Sequence, residues 1–121
     1  MMAPIFQWLG ADSAVSALLT SGSILKVFRD EAEQGTTAPY VRWALVAGQP
    51  ENYVSDVPGI DNGRFQFDVI GRTRAEVDEV YEAVRTVLEQ HGHIVFFAGS
   101  DKDPETKLFR LVFDMSVWTS R

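Results

Sequence analysis

The side chains best equipped for acid–base or metal chemistry are two histidines, His91 and His93, on either side of Gly92, and 17 acidic residues; cysteine is absent. A metal site needs further ligands at a workable spacing, and nothing near the pair supplies a third. A nucleophilic triad lacks parts too, because there is neither a G-x-S-x-G turn nor a thiol for an imidazole to activate. His91 instead falls at the end of a helical stretch, where an imidazole meets the negative end of the helix dipole. The run Asp101-Lys102-Asp103-Pro104-Glu105 offers oxygens like those of a calcium loop, but the turn glycine and distal glutamate are missing and Lys102 and Pro104 interrupt it. It reads as a solvated turn. Asp78, Glu79, Glu82 and Glu89 lie off the apolar stripe of their helix, as a hydrated face does. The glycines form neither G-x-G-x-x-G nor a phosphate loop. No catalytic residue, cofactor or metal is expected.

With 11 basic residues against 17 acidic ones, the chain of 121 residues has a formal net charge of −6. That balance opposes a role in gripping duplex DNA, since affinity for a polyphosphate comes largely from Lys and Arg displacing counterions. The composition is 45% hydrophobic and 23% charged, in the range of an ordinary globular domain. A chain of roughly 120 residues can bury about two-thirds of its unfolded surface, so residues 1–121 are expected to form one domain. No apolar run approaches the roughly 20 residues of a membrane span. Met1 to Gly10 has no basic segment ahead of its short apolar stretch, so the expectation is a soluble protein made and kept in the cytoplasm.

The elements follow from periodicity. Residues 4–9 read as a short helix with Pro4 in its first turn and Ile5, Phe6 and Leu9 on one face. Asp12 is placed to cap a second helical piece carrying Val15, Leu18 and Leu19. Ile24 to Phe28 is a short strand, followed by an exposed acidic connection from Asp30 to Ala38. Tyr40 to Val46 is a strand whose Val41, Trp43 and Leu45 share the core face. Arg64 to Ile70 is another, alternating Phe65, Phe67 and Val69 with Arg64, Gln66 and Asp68. Gly48 to Gly63 between them is read as a long connection without helical period. Thr73 and Glu76 form a capping box opening a helix from about Arg74 to His91, with Val77, Val80, Tyr81, Val84, Val87 and Leu88 as its stripe. Gly92 is expected to close it in a left-handed cap. Ile94 to Ala98, fully apolar, suits a central strand, and Leu108 to Trp118 pairs with it as a hairpin across the turn Gly99–Pro104. The result is an α+β domain with a single mixed or antiparallel sheet of about five strands. An N-terminal helix and one long helix pack on it, in the order α-β-β-β-α-β-β.

In this order the chain resembles the tail-completion, or tail-terminator, proteins of long-tailed bacteriophages and gene transfer agents. The likeness rests on Ala38-Pro39-Tyr40-Val41 opening the second strand, Gly48-Gln49-Pro50-Glu51 leading into the long connection, and Arg64-Phe65-Gln66-Phe67-Asp68-Val69. It continues through Thr73, the helix with Ala83-Val84-Arg85 and Leu88, and the closing strand ending Asp114-Met115-Ser116-Val117-Trp118. The resemblance implies a structural role at the tail–neck junction of a virion. Copies of the chain would form a ring, commonly a hexamer, that caps the tail tube, halts its polymerisation and meets a neck stopper or head-completion protein. DNA would pass through without specific binding, and no membrane is involved.

Residues left without a core to join are the expected assembly contacts. They are Tyr53, Val54, Asp56, Val57, Ile60 and Asp61 in the long connection, Glu31 and Glu33 in the acidic one, and Trp118 on the mixed face of the last strand. Two alternatives stand beside this reading: another tail component, such as a stopper or tube subunit, and a small-molecule-binding domain using Arg42, Arg64, Asp68 and His93.

Overall fold

A computed structural model describes residues 3–50 and 60–120. In chain order these form α1 (Ile5–Gly10), α2 (Ser13–Leu19), β1 (Thr20–Ser21), β2 (Ile24–Leu25), β3 (Val27–Arg29), β4 (Tyr40–Pro50), β5 (Ile60–Gly71), α3 (Arg74–Leu88), β6 (Gly92–Lys102) and β7 (Phe109–Ser120). The main sheet has five strands in the order β3-β4-β5-β7-β6. β3 runs parallel to β4 and every other pairing is antiparallel, so the domain is α+β around one mixed sheet. The expected first strand divides: Ile24 and Leu25 pair back on Thr20 and Ser21 in a small separate ladder, and Val27 joins the main sheet.

The helices cover one face. Val77, Val80, Tyr81, Val84, Val87 and Leu88, the stripe anticipated for α3, are all buried against Phe65, Phe67 and Val69 of β5 and Leu111, Phe113, Met115 and Val117 of β7. Phe67 stacks on Phe113 at 5.1 Å between centroids, and Tyr81 meets Phe113 edge-on at 5.1 Å, the geometries that ring quadrupoles favour. Ile5 and Leu9 of α1 and Val15 and Leu19 of α2 extend this core. Asp12 caps α2 as expected, accepting from the Val15 N–H at 3.0 Å. Phe6 and Leu45 depart from expectation at 46% and 39% exposure, because the core ends before it reaches those positions.

Three expectations about connections are corrected. The stretch Gly48 to Gly63 is not one long loop: β4 and β5 continue as a paired ladder through Gly48↔Gly63, Gln49↔Asn62 and Pro50↔Asp61. The long helix ends at Leu88 with Glu89 as its C-terminal cap in a right-handed conformation. Gly92 is no left-handed cap; it opens β6 opposite Val117. The turn between the last strands falls later than expected, with Asp103 donating its N–H to the Leu108 carbonyl at 2.8 Å and its Oδ1 accepting from the Glu105 N–H at 2.8 Å.

The largest difference concerns the Ile94 to Ala98 run. It belongs to β6, an eleven-residue strand at the sheet's edge rather than its centre. Register shifts between Ile94 and Phe96 and between Phe97 and Gly99 mark irregularities along it, and Val95, Phe96 and Phe97 stand 43%, 51% and 50% exposed.

Candidate assembly surface

Because successive side chains alternate across a strand, the residues between the core positions of β4, β5 and β7 face away from the helices. Arg42, Gln66, Asp68, Arg110, Asp114, Ser116 and Trp118 share that face, and no helix packs over it among the described residues. Its polar residues are organised around two buried carboxylates. Asp68 Oδ2 accepts from the Arg42 guanidinium and, at 2.9 Å, from Arg110 Nη2. Asp114 Oδ2 accepts from Arg64 Nε at 2.9 Å and forms an ion pair with Arg64 Nη2 at 2.8 Å. Asp68 and Asp114 are each 6% exposed although the sequence pattern places them on the polar face; the arginine stems lying across the strands cover them. Their Oδ1 atoms have no hydrogen-bond partner among the described residues.

Two of the residues considered for a small-molecule site, Arg42 and Asp68, thus do meet. They line a shallow recess with Asp30, Gln66 and Arg110. Arg64 is committed to the other carboxylate, and His93, exposed on β6, lies opposite Ser116 in a different row. Among the described residues the four do not converge on one recess: Arg42 and Asp68 share it without Arg64 or His93.

Beside the ladder lies an aromatic patch. Phe96 pairs with Asp114 and His93 with Ser116, which in turn pairs with Arg64. Trp118, two residues further along the same face of β7, is 44% exposed. Phe96, His93, Trp118 and Arg64 therefore form a contiguous surface at the β6 side of the open face. Trp118 was legible in the sequence as an interface candidate. Phe96 was not, because an apolar run looks alike whether a strand is central or at the edge.

The remaining candidates are dispersed. Glu31 and Glu33 are exposed on the connection between β3 and β4, at the opposite edge of the sheet. Ile60 and Asp61 belong to β5, their backbones paired with Ser120 and Thr119. Tyr53, Val54, Asp56 and Val57 lie outside the described residues. His91 stacks on Trp8 at 3.6 Å between centroids and 1° between planes, a packing role at the base of α1. Among the described residues no three His, Asp or Glu side chains gather as metal ligands, and no helix is long and apolar enough to cross a membrane.

Perturbed titrations sit in the helical layer. The side-chain bond from Arg72 holds the Glu76 carboxyl below its ordinary value, against a smaller opposing effect of burial. Burial raises the Tyr81 phenol. Neither group faces the open surface.

Comparison with known proteins agrees with this picture. A sequence model described as "Tail completion protein gp17" matches residues 3–120. A search of curated proteins finds no match. Among solved structures, a chain from the "Virion of native gene transfer agent (GTA) particle" superposes with a TM-score of 0.61 at 19% identity, covering 97% of this chain and 92% of that one. At that identity the likeness establishes the shared fold.

Proposed function

The chain belongs to the tail completion protein gp17 family, which makes it a structural protein of the virion tail and not an enzyme, and from this membership we propose that it closes into a ring at the end of the finished tail tube. The ring, of six copies, stops the tube's polymerisation and joins it to the neck or head-completion protein, with DNA passing through its lumen. The observation that carries this reading is the sheet face free of helices, on which Trp118 and Phe96 stand 44% and 51% exposed. Large aromatics left on such a face mark protein–protein contacts.

Other features support it. A head-to-tail ring needs two different patches on each subunit, and the aromatic surface and the acidic connection occupy opposite edges of the sheet. A net charge of −6 per copy favours a lumen that repels phosphate, so that DNA slides instead of sticking. The shared fold with a chain of a gene transfer agent virion fits the same setting. Tyr53, Val54, Asp56 and Val57, which lead on from the β4–β5 arm, are assigned to contact with the tube or a neighbouring copy.

Electron microscopy of the purified protein with a mass measurement tests the reading. A closed ring is expected. A stable monomer, or open-ended tubes of the kind a tube subunit forms alone, overturns it. Deleting Tyr53 to Val57 should leave the domain folded while tails grow uncapped; normal tail lengths would remove that segment from the interface.

A further inference from the structure

We propose that the surface formed by Phe96, Trp118, His93 and Arg64 on one copy receives the acidic connection carrying Glu31 and Glu33 from a second copy of the same chain. The inference rests on the ring reading and specifies which two patches meet.

Several observations converge on a second copy as the occupant. β6 is the outer edge of the sheet, yet it exposes Val95, Phe96 and Phe97 in a row. Natural proteins normally blunt or cover such an edge. The exposed polar groups beside Phe96 are the Arg64 guanidinium, 47% exposed above the buried Asp114, and the uncharged imidazole of His93. Asp114 neutralises Arg64, so the patch suits a short acidic peptide better than the dense charge of a nucleic acid. A segment of that chemistry exists in the chain itself. Glu31 and Glu33 are both exposed on the connection that follows β3, at the other edge of the sheet. With complementary patches at the two ends of one strand order, copies placed edge to edge bring the acids of one onto the aromatic and cationic surface of the next. The contact is heterologous, so each copy still has one unused patch until the ring closes.

The test uses two full-length variants that each spoil one patch. Phe96→Gln replaces the aromatic anchor of the receiving surface with an uncharged polar group, at a half-exposed position with no core role. The double substitution Glu31→Lys and Glu33→Lys reverses the donating segment. Light scattering behind a sizing column should give a ring for the unmodified chain and a monomer for each variant alone. An equimolar mixture should give a one-to-one dimer and nothing larger, because only one sound interface can form between the two variants. That dimer also shows that both variants are folded. Rings from either variant alone, a mixture that stays monomeric, or a mixture that forms full rings overturns the assignment of patches. If the unmodified chain itself never assembles, the ring reading fails and takes this inference with it.

Discussion

Gly92 and Ser116 approach so closely that a Cβ added to Gly92 would stand 1.9 Å from the Ser116 carbonyl oxygen. The atom in the way is backbone of the neighbouring strand, which cannot swing aside as a side-chain tip can. The same corner is tied by the Trp118 N–H donating to the His91 carbonyl at 2.9 Å, so the path from α3 into β6 is fixed where it leaves the helix. The glycine serves close packing here and not a left-handed turn. Gly92→Ala should cost at least about 2 kcal/mol by forcing β6 away from β7. Urea unfolding measures it, and a midpoint equal to that of the unmodified chain would show that the strands yield.

The two arginines on Asp68 should behave non-additively. Arg42 and Arg110 side chains are 36% and 51% exposed while that of Asp68 is 9% exposed, so either guanidinium can support the carboxylate when the other is gone. Removing one to alanine is expected to cost under about 1 kcal/mol, as exposed pairs do. Removing both strands a buried charge and should cost about 3 kcal/mol. A double-mutant cycle reads the difference; strict additivity would mean the two contacts are independent.

The start of α3 carries a pH dependence of calculable sign. Thr73 Oγ1 accepts from the Glu76 N–H at 3.1 Å, but the return bond differs from the textual capping box: Glu76 Oε1 accepts from the Arg72 N–H at 2.8 Å, one residue earlier. The Arg72 guanidinium adds a bond of 2.8 Å to Glu76 Oε2 and is the main cause of the carboxyl's lowered pKa. A carboxylate depressed by folding lends stability above its unfolded pKa, about 4.3, and that contribution is lost as pH falls through the lower folded value. The unmodified chain should therefore exceed Glu76→Gln in stability at neutral pH, with the gap closing in acid. A gap that widens in acid would contradict the assignment.

The hydroxyl of Thr73 can be tested separately. Thr73→Ala should destabilise the chain by about 1 kcal/mol, the usual cost of losing an N-terminal cap, whereas Thr73→Ser should retain most of the stability. Equal losses from both would place the effect in the threonine methyl group.

The contrast between α3 and β6 explains what the sequence disclosed. The stripe from Val77 to Leu88 is read from spacing alone, because a helix with one wet face must place its apolar residues at that interval. The alternation of Phe65, Phe67 and Val69 locates a half-buried strand for the same reason. Phe96 gives no such signal: its exposure depends on β7 lying on one side of β6 and no described strand on the other, a fact of strand order that local pattern does not encode. The β4–β5 arm was hidden similarly, since pairing such as Gln49 with Asn62 is made by backbone groups shared by all residue types. On the surface, Trp118, Glu31 and Glu33 were found as apolar or acidic residues without a core to join.

The register shifts in β6 affect how the protein survives its own abundance. A straight edge strand with three exposed apolar residues would present a regular row of amide and carbonyl groups, a template for runaway stacking into fibrils while many copies await incorporation. Two irregularities within six residues, between Ile94 and Phe96 and between Phe97 and Gly99, break that row. The regular row of backbone groups that would template such stacking is therefore interrupted within the exposed apolar stretch.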